Sequence, residues 1–171
     1  EYNPDAFIVE AKAAGTPLYL LLDDLAGSTL VSGWAFSRWR DDWMPGGEDR
    51  PKHVMQGICI GFRPNSSALD EDGSPAGEQN ASRVIPLPNP EDPEGWHDLP
   101  QQGGINFRRA RRIDVWREGE EIRVESHFQD SSSAPDGGDR WAIHEYLVHA
   151  RIGADGLLKS VDATPGTLPY A

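Results

Sequence analysis

From Arg111 to Ala163 the chain alternates apolar and polar residues with a period of two, interrupted only by turn- and loop-forming residues. A period of two places successive side chains on opposite faces of an extended backbone, so one face is apolar and the other wet. Ile113 and Val115 share a face in the first segment. Ile122, Val124, Ser126 and Phe128 share one in the second, with Arg123, Glu125, His127 and Gln129 opposite. Glu118-Gly119 supplies the turn between them and sets Arg117 against Glu120 and Ile113 against Val124. A four-residue loop preserves the same parity, so the apolar face survives either register. Ser131 to Asp139 reads as a polar loop, Trp141 to Ile152 as a third strand, Asp155-Gly156 as a tight turn and Leu157 to Ala163 as a fourth strand. The expectation is a consecutive antiparallel meander.

The N-terminal part has a different rhythm. Residues 1–15 read as a loose start with helix from Asp5 to Ala14. Thr16-Pro17 resembles an N-cap followed by proline at the first helical position. Leu18, Leu21, Leu22 and Leu25 then recur at helical spacing, and Gly27 lies where a terminating glycine would. Ser28 would cap a second helix, with Leu30, Val31, Trp34, Ala35 and Trp39 on one side. Arg40 to Pro51 reads as a loop and Val54 to Phe62 as a short strand. From Arg63 to Gly104 proline, glycine and small polar residues dominate. Pro86, Pro88, Pro90 and Pro93 favour extended backbone, while Ile85, Leu87, Trp96 and Leu99 anchor an arm to the core. The fold class is therefore α+β: a twisted antiparallel β-meander packed against N-terminal helices, with a long irregular Pro/Gly-rich arm. The expected organisation is a single domain, 1–171. Within it, 1–62 is a helical N-terminal part with a short strand, 63–104 the loop-rich arm and 105–171 the meander.

Charge narrows the partners. Sixteen Lys and Arg face 28 Asp and Glu, for a net charge of -12 and a pI near 4.7. Such a surface repels phosphate backbones and anionic lipid, which argues against nucleic acid and membrane. The longest apolar run, Leu18 to Leu22, is too short to span a bilayer, and no hydrophobic signal segment opens the chain. The basic run Arg108-Arg109-Ala110-Arg111-Arg112 leads into an alternating strand, so its arginines are expected to split between faces and pair with surplus acids. Cys59 is the single cysteine, which excludes an internal disulfide, points to a cytoplasmic location and reads as a small buried core residue. No glycine loop, G-x-S-x-G or H-E-x-x-H motif occurs, so neither a nucleotide cofactor nor a metal is expected.

Parity also selects the candidate site. On the third strand His144, Tyr146, Val148, Ala150 and Ile152 share the more apolar side, and Ile143, Glu145, Leu147, His149 and Arg151 the other. Asp130 shares parity with Val124 and Phe128, so it points inward at the strand end nearest His144. Arg111, in phase with Ile113, reaches the same end. A carboxylate beside an imidazole fixes its tautomer and raises its basicity, and an arginine holds a substrate carboxylate through two hydrogen bonds. The catalytic candidates are thus His144, Asp130 and Tyr146, with Arg111 and Trp141 binding substrate. The competing structural reading pairs Asp130 with Arg111 simply to satisfy buried polar atoms. His127 and His149, on the outer parity, would meet Glu125 and Glu145, a set that could hold zinc or iron; without a closely spaced ligand motif, solvent-facing polar groups are the expected reading. His53 and His97 lie in loops without a signature.

The stretches Arg111-Arg112-Ile113-Asp114-Val115, Val124-Glu125-Ser126-His127-Phe128-Gln129-Asp130-Ser131, Ile143-His144-Glu145-Tyr146, Gly156 to Val161 and Leu168-Pro169-Tyr170 resemble the bacterial family called domain of unknown function 2889. The resemblance covers roughly residues 105–171. The family pattern opens its first strand with an arginine pair, closes its second with Asp and opens its third with His, which fall on Arg111, Arg112, Asp130 and His144. It implies a bacterial protein and no established activity. The family continues past the Pro-Tyr with a cysteine and a helical segment that do not follow here, implying a chain shorter than the family pattern.

The leading functional expectation is binding of a small apolar or aromatic molecule between sheet and helices, with conversion by general acid–base chemistry if the protein is an enzyme. The alternative is a non-catalytic interaction or oligomerisation protein using exposed aromatics (Trp39, Trp43, Trp96) and the proline-rich arm, with a homo-oligomer as partner.

Overall fold

The computed structural model describes residues 4–39, 54–76, 80–85, 87, 91–92, 103–136 and 139–170. Two helices, α1 (Pro4–Ala13) and α2 (Pro17–Arg38), precede a short strand β1 (Ser82–Arg83) and four strands in consecutive antiparallel order. These are β2 (Asn106–Glu118), β3 (Glu121–Ser133), β4 (Arg140–Ile152) and β5 (Leu158–Pro165). One edge of β4 pairs with β3, and the other carries β5 and β1 end to end. The architecture is the expected mixture of N-terminal helices and antiparallel meander, with five strands among the described residues.

The first hairpin turns one residue later than expected. Glu118 pairs with Glu121, so Gly119 and Glu120 form the turn and Val115, not Ile113, faces Val124. Gly119 holds φ +63°, the mirror-image conformation that two-residue hairpins favour. Parity is unaffected because the register moves by two positions. β3 also continues through Ser131–Ser133, where the polar composition predicts a loop.

A second irregularity does change parity. Asp130 pairs with His144 but Ser131 pairs with Ala142, so Ile143 is an extra residue on β4. Such a bulge re-aims the side chains on its far side. Ile143, expected on the outer face, is fully buried against Trp34 and Ala35 of α2, with Val31, Ala81, Ile105 and Phe107 around them.

Pro17 opens α2 as expected, although the Thr16 side chain makes no capping bond. The helix then runs through Gly27 and Ser28 to Arg38, so the expected stop and second helix are one continuous element. Gly27 has a packing role instead: a Cβ there would overlap the Arg109 guanidinium. Trp39 Nε1 donates to Ser132 Oγ at 2.7 Å, tying the helix end to β3. The guanidinium of Arg38 lies 5.3–5.5 Å from the rings of Trp34, Trp39 and Trp141.

Residues 54–62 contain turns and a short 3-10 segment, Ile60–Phe62, rather than a strand, and Cys59 is exposed rather than buried. Two glycines and a backbone bond from Phe62 to Cys59 curl this stretch away from extended pairing. Farther on, β1 lies along the β4 edge, and Ile85 and Leu87 meet the outer sheet face. There Gln129 and Arg112 donate to the carbonyls of Ile85 and Leu87. Leu87 is buried and Ile85 exposed. Trp43, Trp96, Leu99, His53, His97 and Pro86, Pro88, Pro90 and Pro93 lie outside the described residues.

Two glycines of one helix make the packing argument testable. Gly27→Ala forces Arg109 from its place and should cost about 1–3 kcal/mol. Gly33→Ala, where a Cβ meets nothing within 4 Å, should stabilise by roughly 0.5–1 kcal/mol through helix propensity. Urea unfolding of both variants measures the contrast.

Candidate functional site

The inner face of the meander is built in rows across the strands. Arg109, Asp130 and His144 form one row, Arg111, Phe128 and Tyr146 the next, and Ile113, Ser126 and Val148 the one after. α2 reaches the first row at Gly27 and the second through Asp24, and does not extend over the third.

Asp130 is the centre of the first row and is completely buried. Arg109 grips it through two bonds of 2.7 Å, Nε to Oδ1 and Nη2 to Oδ2. His144 Nδ1 stands 3.3 Å from the same Oδ2, and its side chain is 28% exposed. Burial pushes the Asp130 carboxyl towards protonation, but the bonds from Arg109 and His144 outweigh it and hold its pKa below the ordinary carboxylate value. The same carboxylate raises the pKa of Arg109. The arginine also lies 3.7 Å from Asp24 of α2 and 4.9 Å from the Phe128 ring centre.

Arg111, expected near Asp130, instead bonds Asp24 Oδ1 at 2.6 and 3.1 Å and covers the other guanidinium position over Phe128. Arg109 directly faces Asp130 across the strands, so it occupies the carboxylate first. Tyr146 follows His144 by two residues on the same face and is exposed, and Trp141 stacks under Arg38. The structure thus brings Asp130 and His144 together, leaves Tyr146 alongside, and sends Arg111 and Trp141 to separate contacts. Among the described residues an open surface depression is lined by Asn80, Ala81, Ser82, Gly166, Thr167 and Leu168, none of which belongs to this row.

The outer face gathers a different set. His127 Nε2 and His149 Nε2 approach the two oxygens of Glu125 at 3.1 and 3.3 Å, and Arg112 donates to Oε1 at 2.7 Å. The His127 bond holds Glu125 below its ordinary pKa; burial opposes it, and the His149 bond and the charge of Arg112 add to the lowering. Glu145 does not join them; Gln129 and Thr167 hold it.

Sequence reasoning missed Arg109, Asp24 and Gly27. The signal for Arg109 was present: a turn at Gly119-Glu120 puts it opposite Asp130, whereas the earlier turn puts Phe107 there. Asp24 and Gly27 depend on how the helix lies on the sheet, which no local pattern encodes.

Arg109→Met should cost about 3–5 kcal/mol, because it strands a buried carboxylate. The lowered pKa of Asp130 adds a pH signature. Its stabilising contribution is complete above the unfolded-chain value near 3.9 and drains as pH falls below that towards the folded value. Wild-type protein should therefore lose more stability than Asp130→Asn between about pH 4 and pH 2, as read by denaturant unfolding across that range.

No helix among the described residues is long and apolar enough to cross a membrane. No curated protein and no solved structure matches the chain. Residues 107–171, which include the row of Arg109, Asp130 and His144, match the family described as Protein of unknown function (DUF2889), as the resemblance in the C-terminal segment implies.

Proposed function

We propose that this chain is a non-catalytic interaction protein that associates with a second copy through the open half of its inner sheet face. The observation that carries the reading is the uncovered apolar surface. Ile113 and Val115 of β2, Ile122 of β3, Tyr146 of β4 and Val161 of β5 are all exposed, Val115 at 62%. A one-layer sheet buries its apolar face only when a second layer covers it, and two such sheets stack about 10 Å apart. Among the described residues six hydrophobic residues are buried while twenty large ones are exposed, so the interior falls well short of the apolar surface on offer.

A second copy suits this face for two reasons. It is spread across four strands, whereas small molecules are held in concave sites. Its hairpin end carries both Arg117 and Glu120, neither with an ion-pair partner among the described residues. A two-fold interface is self-complementary, and a free cation beside a free anion gives each copy what the other needs. The lone cysteine and the family resemblance support a bacterial, cytoplasmic setting.

A second reading rests on the 3.3 Å contact between His144 and Asp130 at the border of the open face. There a small apolar or aromatic molecule would sit against Phe128 and Tyr146, with His144 as acid or base, Asp130 orienting it and Arg111 or Trp141 as further contacts. The bidentate Arg109–Asp130 pair weighs towards a structural role for that carboxylate.

Sedimentation equilibrium separates the two. At about 50 µM the wild type should sediment at twice 18.8 kDa. Val115→Asp with Val161→Asp should weaken association at least 100-fold, and His144→Ala should leave it unchanged. A wild type that stays monomeric overturns the first reading, and a monomer that binds indole only when His144 is present establishes the second.

A further inference from the structure

The arginine run of β2 divides between the two faces, and acids take up most of it. Arg109 holds Asp130, Arg111 holds Asp24 and Arg112 holds Glu125. Arg108 has no ion pair among the described residues. It lies on the outer face opposite Ser131, and Arg140 lies on the same face opposite Ser133, one strand farther across. Arg140 is also without a carboxylate among the described residues. Its neighbour Asp139 is engaged by Arg83.

We propose that Arg108 and Arg140, with Asn106 and Ser131 between them, form a binding site for an oxyanion, a phosphoryl or carboxylate group. β2 and β4 flank β3, about 9–10 Å from each other, and both guanidinium stems are long enough to meet above it. The β3 residues beneath are Ser131 and Ser133, both small and buried. Neutral groups already orient Arg140. Its Nη2 donates to Asn106 Oδ1 at 2.7 Å and its Nη1 to Ser131 Oγ at 3.4 Å. Asn106 is itself fixed by donating to Ser133 Oγ at 2.6 Å.

Two half-buried cations without an anion among the described residues are a cost the fold carries. Burial, and then repulsion from Arg108, lower the pKa of Arg140. An oxyanion removes both penalties, since its oxygens accept in-plane bonds from two guanidinium groups. The chain's acidity does not oppose this locally, because exposed charges more than about 8–10 Å away are screened in physiological salt.

The test is thermal unfolding at constant ionic strength in chloride buffer with added inorganic phosphate or acetate, alongside phosphorus-31 line broadening. In wild type, 10 mM phosphate should raise the midpoint. Arg108→Gln should abolish that rise and weaken phosphate binding at least tenfold. In chloride alone Arg108→Gln should melt no lower than wild type, because it removes a repulsion. Phosphate without an acetate effect identifies a phosphoryl ligand, and equal effects a carboxylate. No anion effect in wild type, an equal effect in Arg108→Gln, or a lower melting point of Arg108→Gln in chloride overturns the proposal. Arg140→Met, compared in the same way, repeats the test from the opposite side of β3.

Discussion

The bond between Arg109 and Asp130 organises the molecule. An aspartate with no exposure is tolerable only where its charge is met in full, and the fork of Arg109 does this with two short bonds. Everything nearby is adjusted to that fork. α2 carries a glycine where the guanidinium must lie, and Asp24 one turn earlier shares the positive charge. Phe128 offers its ring to Arg109 and Arg111 together. The helix is thereby fastened to the sheet by charge as much as by the small apolar cluster around Trp34 and Ile143.

The same arrangement explains why the inner face is only half used. α2 has seated its charges and its cluster at one end of the strands, and beyond the row of Phe128 no helix among the described residues follows the sheet. The exposed leucines of α2 tell the same story. The helical spacing of Leu18, Leu21 and Leu25 predicts a buried stripe, yet they stand out on the flank of the helix while Gly27, Val31, Trp34 and Ala35 meet the sheet. An apolar stripe predicts which side of a helix avoids water, and in this chain a different side, small and charge-matched, was the one that fitted.

What could be read from the residues was whatever depends on local periodicity. Strand order, parity and the inward placement of Asp130 and His144 follow from alternation, and alternation tolerates a turn shifted by one residue. The partner of Asp130 did not survive that shift, because pairing depends on register as well as face. Ile143 was misplaced because a bulge leaves no trace in composition: the extra residue is apolar and sits in an apolar run. Gly27 and Cys59 failed for a related reason. A glycine within a helix and a cysteine among aliphatics look the same whether or not something packs against them. The assignment of Arg108 to Arg112 as acid-paired was right for three arginines; Arg108, whose cross-strand neighbour is a serine, meets no acid among the described residues.

The gathering of indoles around Arg38 has an optical consequence. Three of the six tryptophans lie within one small cage where helix meets sheet, and each is close enough to a guanidinium for its excited state to sense the charge. Much of the chain's intrinsic emission therefore reports on one joint. Peeling of α2 would register as a spectral change while the meander, whose backbone signal lies in the far ultraviolet, stayed intact, so the order in which the two layers part is written into the native chromophores.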